Sequence, residues 1–266
     1  MSVVESENQK CPHGYPAHIR SECPDCKNEA NRTHPFAKEP VSSYIDPKFK
    51  SFGSEGNEVI RKNRIDNIDA DVEMYKNGRE LLDELREKYG IPIVDYSNVV
   101  GKNDTGQNVM YSISKTVRGQ DFSQYLQEHS GNIPEGIQEK INLHFIALVK
   151  YYTDKFVNGG KYLYDSGFNA QYAVGKLDKD LSAPDEIYLV DIKPRIFEAK
   201  PLDFTANQEL LFRISSLIGQ IRQVEAKTGK TLSEPRALLK DFFTRLEETQ
   251  MPEWFKKTAN DLNENR

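Results

Sequence analysis

This sequence of 266 residues has one tryptophan, three cysteines and five histidines, and it has no long apolar run. Nothing in it approaches the roughly 18–20 apolar residues of a membrane-spanning helix, so a helical span is not expected. Positive charge is also short. Lys and Arg number 36 against 41 Asp and Glu, a net charge of −5 at pH 7. The chain has no global attraction for nucleic acid, and sequence-independent phosphate binding is disfavoured as its main task; a local basic patch stays open. The opening MSVVESENQK is polar and acidic, unlike a secretory signal, which makes the cytoplasm the expected compartment. Three cysteines cannot pair into a disulfide framework without one left over, and all three fall within residues 11–26.

What is present points to a folded domain with polar appendages. Charged residues make up 29% of the chain, yet 13 Phe and 13 Tyr supply bulk for a core. Residues 1–10 read as a flexible tail, 11–27 as a Cys/His module, and 28–58 as a linker or loosely packed segment with several prolines and few aliphatics. From residue 59 the pattern becomes regular. VIRKNR suits a short strand. ADVEMYKNGRELLDELREKYG places Val72, Tyr75, Leu82, Leu85 and Tyr89 at helical spacing and stops at Gly90. IPIVDYSNVV (91–100) and NVMYSISKTV (108–117) flank GKNDTGQ, a hairpin signal. DFSQYLQEH suits a short helix. PEGIQEKINLHFIALVKYYTDKFVN (134–158) aligns Ile137, Ile141, Phe145, Leu148, Tyr152 and Phe156 on one face. A second hairpin, YAVG with EIYLVDI, follows, and the remainder is helical. The order of helix, hairpin, helix, hairpin and helices predicts an α+β fold.

CPHGYPAHIRSECPDC sets Cys11-x-His13 against Cys23-x-x-Cys26. Four such ligands in two close pairs match a closed tetrahedral Zn²⁺ site, with His18 as a competing nitrogen. So short a segment has no core, and metal binding would supply its folding energy. The alternatives are a tail with reduced cysteines, or a redox pair at Cys23 and Cys26. A closed site has no open position for catalysis; a small zinc module beside a folded domain suits partner binding.

KYLYDSGFNAQYAV (161–174) carries Asp165 just after a strand, and IYLVDIKP (187–194) carries Asp191 at the end of another. With the element order from 59 to about 196, these stretches make the chain resemble a reduced protein-kinase-like or aminoglycoside-phosphotransferase-like fold. The resemblance implies a two-lobe architecture, with a shortened small lobe over 59–118 and a helical large lobe over 119–260, and residues 115–122 as the hinge. It implies that Asp165 is the catalytic base and that Asn169 or Gln171 is an amide ligand. Asp191 becomes the principal ligand of a Mg²⁺ held on ATP phosphates. Arg61 or Lys62 takes the place of the phosphate-binding lysine, and Glu73 or Glu80 pairs with that cation.

The sequence departs from the pattern. The family's amide follows its base by about five residues, whereas Asn169 is one short of that and Gln171 one long. Tyr164 precedes the base where His-Arg or His-Gly is usual, Asp-Ile-Lys-Pro replaces Asp-Phe-Gly, and GSEG (53–56) reads as a plain loop rather than a phosphate loop. The implied member is therefore degenerate, either a Mg²⁺/ATP-dependent phosphotransferase or a pseudokinase that keeps the fold for binding.

Plainer readings stand beside these. Asp165 before Ser-Gly can simply start a turn. Asp191 can pair with Lys193 or Arg195. His144 reads as a satisfied core or boundary histidine, Trp254 as a packing anchor for the last helix, and KKTANDLNENR as a frayed end. The alternative function is a non-catalytic adaptor that binds protein partners through the zinc module and the aromatic-rich domain. Nucleic-acid binding by the module is disfavoured, because Arg20 is its one fixed cation between Cys11 and Cys26, against Glu22 and Asp25.

Overall fold

A computed structural model describes residues 58–64, 68–102, 108–115, 117–164, 166–167, 171–177, 184–190, 195–246 and 250–263. The Cys/His module and the segments on either side of it lie outside the described residues, as do Asp165, Asn169, Asp191 and Lys193. The fold is α+β, and it divides into two compact units. One comprises the chain to Lys76 with Val94–Thr116 and Leu177–Lys179; the other comprises Asn77–Ile93, Val117–Lys176 and Asp180–Arg266.

The first unit is built on an antiparallel sheet of β1 (Glu58–Arg64), β2 (Tyr96–Lys102) and β3 (Asn108–Lys115), with β3 in the middle. Val100 faces Met110 and Tyr96 faces Ser114. Tyr96, Asn98, Met110 and Ser114 are all buried, at the period of two that a sheet with one covered face requires. The hairpin is as the sequence predicts, but its first strand begins five residues late. Pro92 lacks an N–H, and residues 91–93 lie instead beside the strand at 186–189: Ile93 bridges Leu189, and the Leu189 N–H bonds to the Pro92 carbonyl at 2.9 Å. Helix α1 (Ile68–Glu87) contributes its first turns, with Val72 and Tyr75 buried.

The second unit takes the rest of α1, with Leu81, Leu82 and Leu85 buried. Asp121 caps the short α2 (Phe122–Glu128) by accepting from the Ser123 N–H at 2.8 Å; such a cap fills an N–H left open by the first turn. Helix α3 (Glu135–Asn158) follows. Its predicted apolar face is buried, but so are Ile146, Ala147, Val149 and Tyr151, so the helix is enclosed on nearly all sides through its middle. Helices α4 (Gln208–Thr228) and α5 (Ser233–Thr244) pack against α3. The strands are β4 (Val117–Asp121), β5 (Gly160–Leu163), β6 (Tyr172–Leu177), β7 (Glu186–Leu189) and β8 (Ile196–Ala199). They form one sheet in the order β4-β6-β7 and a separate pair, β5-β8. Neither β4 nor β8 is apparent in the sequence, because VRGQD and IFEA are short and lack alternation. The expected hinge at 115–122 thus contains a strand and the start of α2.

The last helix, α6 (Glu253–Asn263), corrects two expectations. The described C-terminal stretch is helical through Asn263. Leu262 is buried, and its carbonyl accepts from Arg236 Nη1 at 3.1 Å. Arg236 also forks onto Glu225 of α4, with Nε to Oε1 at 2.8 Å and Nη2 to Oε2 at 2.6 Å, a bidentate geometry that favours a charge-assisted pair. Burial raises the Glu225 carboxyl pKa, but the hydrogen bonds from Arg236 and from the Leu232 N–H outweigh it and hold the group below its ordinary value. Trp254 is not the anchor. It is 41% exposed, while Phe255 beside it is fully buried.

Candidate active site

The site is built around the turn that leaves β5. Tyr151 and Tyr152, adjacent in the core of α3, put two hydroxyls under that turn. Tyr151 Oη accepts from the Leu163 N–H at 2.8 Å. Ser166 Oγ lies 3.2 Å from the Leu163 carbonyl and 2.8 Å from the Tyr152 hydroxyl, which also reaches the Tyr164 carbonyl at 3.3 Å. Tyr172, the first residue of β6, donates to the Ser166 carbonyl at 3.0 Å. Burial pushes the Tyr151 and Tyr172 phenols well above their ordinary pKa, so both keep their protons. Ser166 and Gly167 are buried, and a Cβ on Gly167 would lie 3.4 Å from Nε2 of Gln220 on α4. Ser166 and Gly167 therefore do not face solvent: three tyrosines and a helix hold them.

A second connecting segment joins β7 to β8, and strand pairing brings its described ends to the first turn. β5 pairs antiparallel with β8, Leu163 opposite Ile196, and β6 pairs with β7, Tyr172 opposite Leu189. Two backbone bonds close the gap between the pairs. The Tyr164 N–H donates to the Arg195 carbonyl at 2.8 Å, and the Val190 N–H donates to the Gln171 carbonyl at 2.8 Å. Each bond joins an end of one turn to an end of the other.

Two guanidinium groups crowd the same point. Arg213, on α4, lies over the Tyr164 ring at 3.4 Å from the centroid, and Arg195 lies 4.5 Å from it and 5.6 Å from the Phe197 centroid. Such cation–π contacts gain strength as they lose water, and Tyr164 is buried. Two guanidinium groups are thus stacked at the Tyr164 ring.

Of the remaining candidate residues, Gln171 is half-buried and supplies the carbonyl just described. Arg61 and Lys62 lie on β1 in the first unit, in register with Ser112 and Tyr111. Glu73 and Glu80 are both exposed on α1. On α1, Glu84 meets a buried cation: its oxygens lie 2.9 and 2.7 Å from Nζ of Lys155 on α3. Among the described residues no cluster of three or more His, Cys, Asp or Glu is arranged to hold a metal, and no helix is long and apolar enough to cross a membrane.

His144 is the core histidine the sequence suggests. It is buried, its Nδ1 lies 2.8 Å from the Lys140 carbonyl, and its ring meets Tyr172 edge-on at 5.7 Å. Burial lowers its pKa, against smaller opposing effects from the Lys140 carbonyl and the nearby Glu186 carboxylate. The unfolded histidine takes up a proton near pH 6.5 and the folded one resists it. Stability is therefore full above that pH and falls as pH drops through it. Urea unfolding at pH 7.5 and 5.5 should show a loss of stability at the lower pH in the native protein, and a smaller loss in His144→Leu. Equal losses in the two would sink the assignment.

No family model matches this chain, and no curated protein matches it. Among solved structures, the chain is similar to WaaP in complex with acyl carrier protein, with 11% sequence identity and a TM-score of 0.36, over 78% of this chain and 80% of that one.

Sequence reasoning reached the two turns but missed what fixes them. Tyr151 and Tyr152 read as core bulk, although two phenols inside an aliphatic helix were a signal, since a buried hydroxyl needs a partner. Arg213 lies about 50 residues downstream on α4, where no local spacing could connect it to Tyr164.

Proposed function

We propose that this chain is a degenerate member of the protein-kinase-like group, whose second unit carries a nucleotide and metal site at the turns after Tyr164 and Val190. The observation that supports this most directly is the double tie, Tyr164 to Arg195 and Gln171 to Val190. It brings together the described ends of the two turns that hold Asp165 and Asp191. In this reading Asp165 accepts or orients a hydroxyl proton. Asp191, with Asn169 or Gln171, is the oxygen donor set for Mg²⁺; a carboxylate and an amide suit that hard cation. The ion would neutralise charge on the ATP phosphates. Arg61 or Lys62 supplies the further cation, and Glu73 or Glu80 steadies it. The missing phosphate loop and the altered spacing favour a protein that binds nucleotide over one that transfers phosphate quickly.

Thermal unfolding of the full chain tests the reading. ATP and Mg²⁺ together should raise the midpoint by several degrees, since a ligand at 100 times its dissociation constant adds about 2.7 kcal/mol to the folded state. The shift should vanish in Asp191→Ala and survive in Asp165→Ala. No shift at millimolar ATP would overturn the nucleotide site and leave the protein-binding adaptor as the better description.

The same reading assigns Cys11, His13, Cys23 and Cys26 to one structural Zn²⁺, with a protein partner as the module's target. Metal analysis of the purified chain should find about one zinc per molecule, lost in Cys23→Ser. A chain that binds no zinc at micromolar supply removes the module from the proposal.

A further inference from the structure

A cleft of about 640 Å³ opens between α3 and α5, beside the end of α1. Its size is that of a small-molecule pocket, roughly 300–1,000 Å³. It shares no residue with the candidate active site. Phe242 and Leu238 of α5 line one side and Val149 and Val157 of α3 the other, with Leu202 also lining it. Val157 and Leu202 are 41% and 53% exposed, so the cleft presents branched apolar side chains to water.

Leu202 carries a second mark. Its φ is 53°, the left-handed region, and it is the one described non-glycine residue there. Its N–H bonds to the Phe156 carbonyl at 2.8 Å, which holds the backbone in place. A leucine gains nothing from that conformation, and strain of this kind collects at ligand clamps and functional turns. A glycine would remove the strain and also the apolar rim.

The charges of the lining point to the ligand's sign. Asp154 takes Lys88 at 2.7 Å and the Tyr89 hydroxyl at 2.5 Å, and Asp241 takes Arg245 at 2.6 Å. The third cation, Lys150, is exposed and makes no side-chain hydrogen bond or ion pair among the described residues. With three cations and two carboxylates, the lining keeps one positive charge uncompensated. The hydrogen bonds between Asp154, Lys88 and Tyr89 raise the ammonium pKa further above its ordinary value, so that pair stays charged and closed.

We propose that this cleft binds a single-chain aliphatic carboxylate, with its chain along Val157, Leu202, Leu238 and Phe242 and its head against Lys150. The apolar lining selects a hydrocarbon body, and the residual positive charge selects an anionic end. The site is independent of the nucleotide reading and survives its failure.

Isothermal titration of the full chain with decanoate, decyltrimethylammonium and butyrate tests this. Decanoate should saturate a single site, decyltrimethylammonium should bind about tenfold more weakly or not at all, and butyrate should show no heat of binding. Lys150→Glu should reverse the order of the two decyl compounds. Leu202→Gly should keep or raise the thermal midpoint while weakening decanoate about tenfold. Equal binding of both decyl compounds, unaltered by Lys150→Glu, would mean unspecific apolar adsorption and overturn the proposal. Absence of saturable decanoate binding would overturn it too, as would a dimer in sedimentation that Leu202→Gly dissolves while decanoate has no effect; the face would then belong to a second copy of the chain.

Discussion

Lys155→Ala should lower the stability of the second unit by about 3 kcal/mol. The side chain is only 11% exposed, and Nζ sits between both oxygens of Glu84, at 2.9 and 2.7 Å. It also lies 5.6 Å from the centre of the Tyr151 ring. Truncation leaves Glu84, at the join between α1 and α3, with only the looser ion pair to Lys88 at 3.9 Å, where water reaches it incompletely. Glu84 is 24% exposed, which puts the cost at the lower end for a broken buried pair. The pair as a whole is worth less than its breakage suggests, because two charges had to lose water to form it. A Glu84→Gln, Lys155→Met double variant should therefore recover all but about 1 kcal/mol. Urea unfolding of the three variants checks both figures. If Lys155→Ala costs no more than the double variant, the pair is a surface contact and the description of this junction fails.

Gly175→Val should be about as damaging, at about 3 kcal/mol, by steric conflict rather than charge. Gly175 of β6 and Gly119 of β4 face each other across the sheet. A Cβ on Gly175 would lie 2.7 Å from the Gly119 Cα, and a Cβ on Gly119 would lie 2.7 Å from the Gly175 Cα. The colliding atoms are backbone, so no rotamer change can relieve the conflict, and β4 must leave the sheet. Gly136→Ala is the matching control. A Cβ there meets nothing within 4 Å in the first turns of α3, and alanine should stabilise by about 0.5 kcal/mol through its better helix propensity. Thermal midpoints that fall equally for the two variants would show that the close approach of β4 and β6 is not what demands glycine.

Both effects arise at contacts that local sequence cannot announce. Lys155 appears in the sequence as one more charge on a helix, and only its distance from Glu84, 71 residues away, makes it a buried partner. Gly175 follows Tyr-Ala-Val in what reads as an ordinary strand. Its neighbour Gly119 sits in VRGQD, which has no alternation to mark it as a strand. The helices, by contrast, were legible because their stability comes from an apolar stripe repeated every three or four residues. The spacing from Ile137 to Phe156 is visible without any knowledge of what covers it.

The candidate site divides in the same way. The sequence alone determined that two acids follow strand-like apolar runs, Tyr-Leu-Tyr before Asp165 and Ile-Tyr-Leu-Val before Asp191. Strand endings depend on local alternation and turn residues, so they can be read one at a time. Tertiary structure decided that β5 pairs with β8 and β6 with β7, and that the described ends of the two turns are joined by backbone hydrogen bonds. It also decided that Tyr151, Tyr152 and Tyr172 fix the first turn through Leu163 and Ser166, and that Arg213 and Arg195 stack on Tyr164. A hydroxyl or guanidinium finds its partner through the path of the whole chain. The energy of each such contact depends on the water that folding removes, which no stretch of sequence carries by itself.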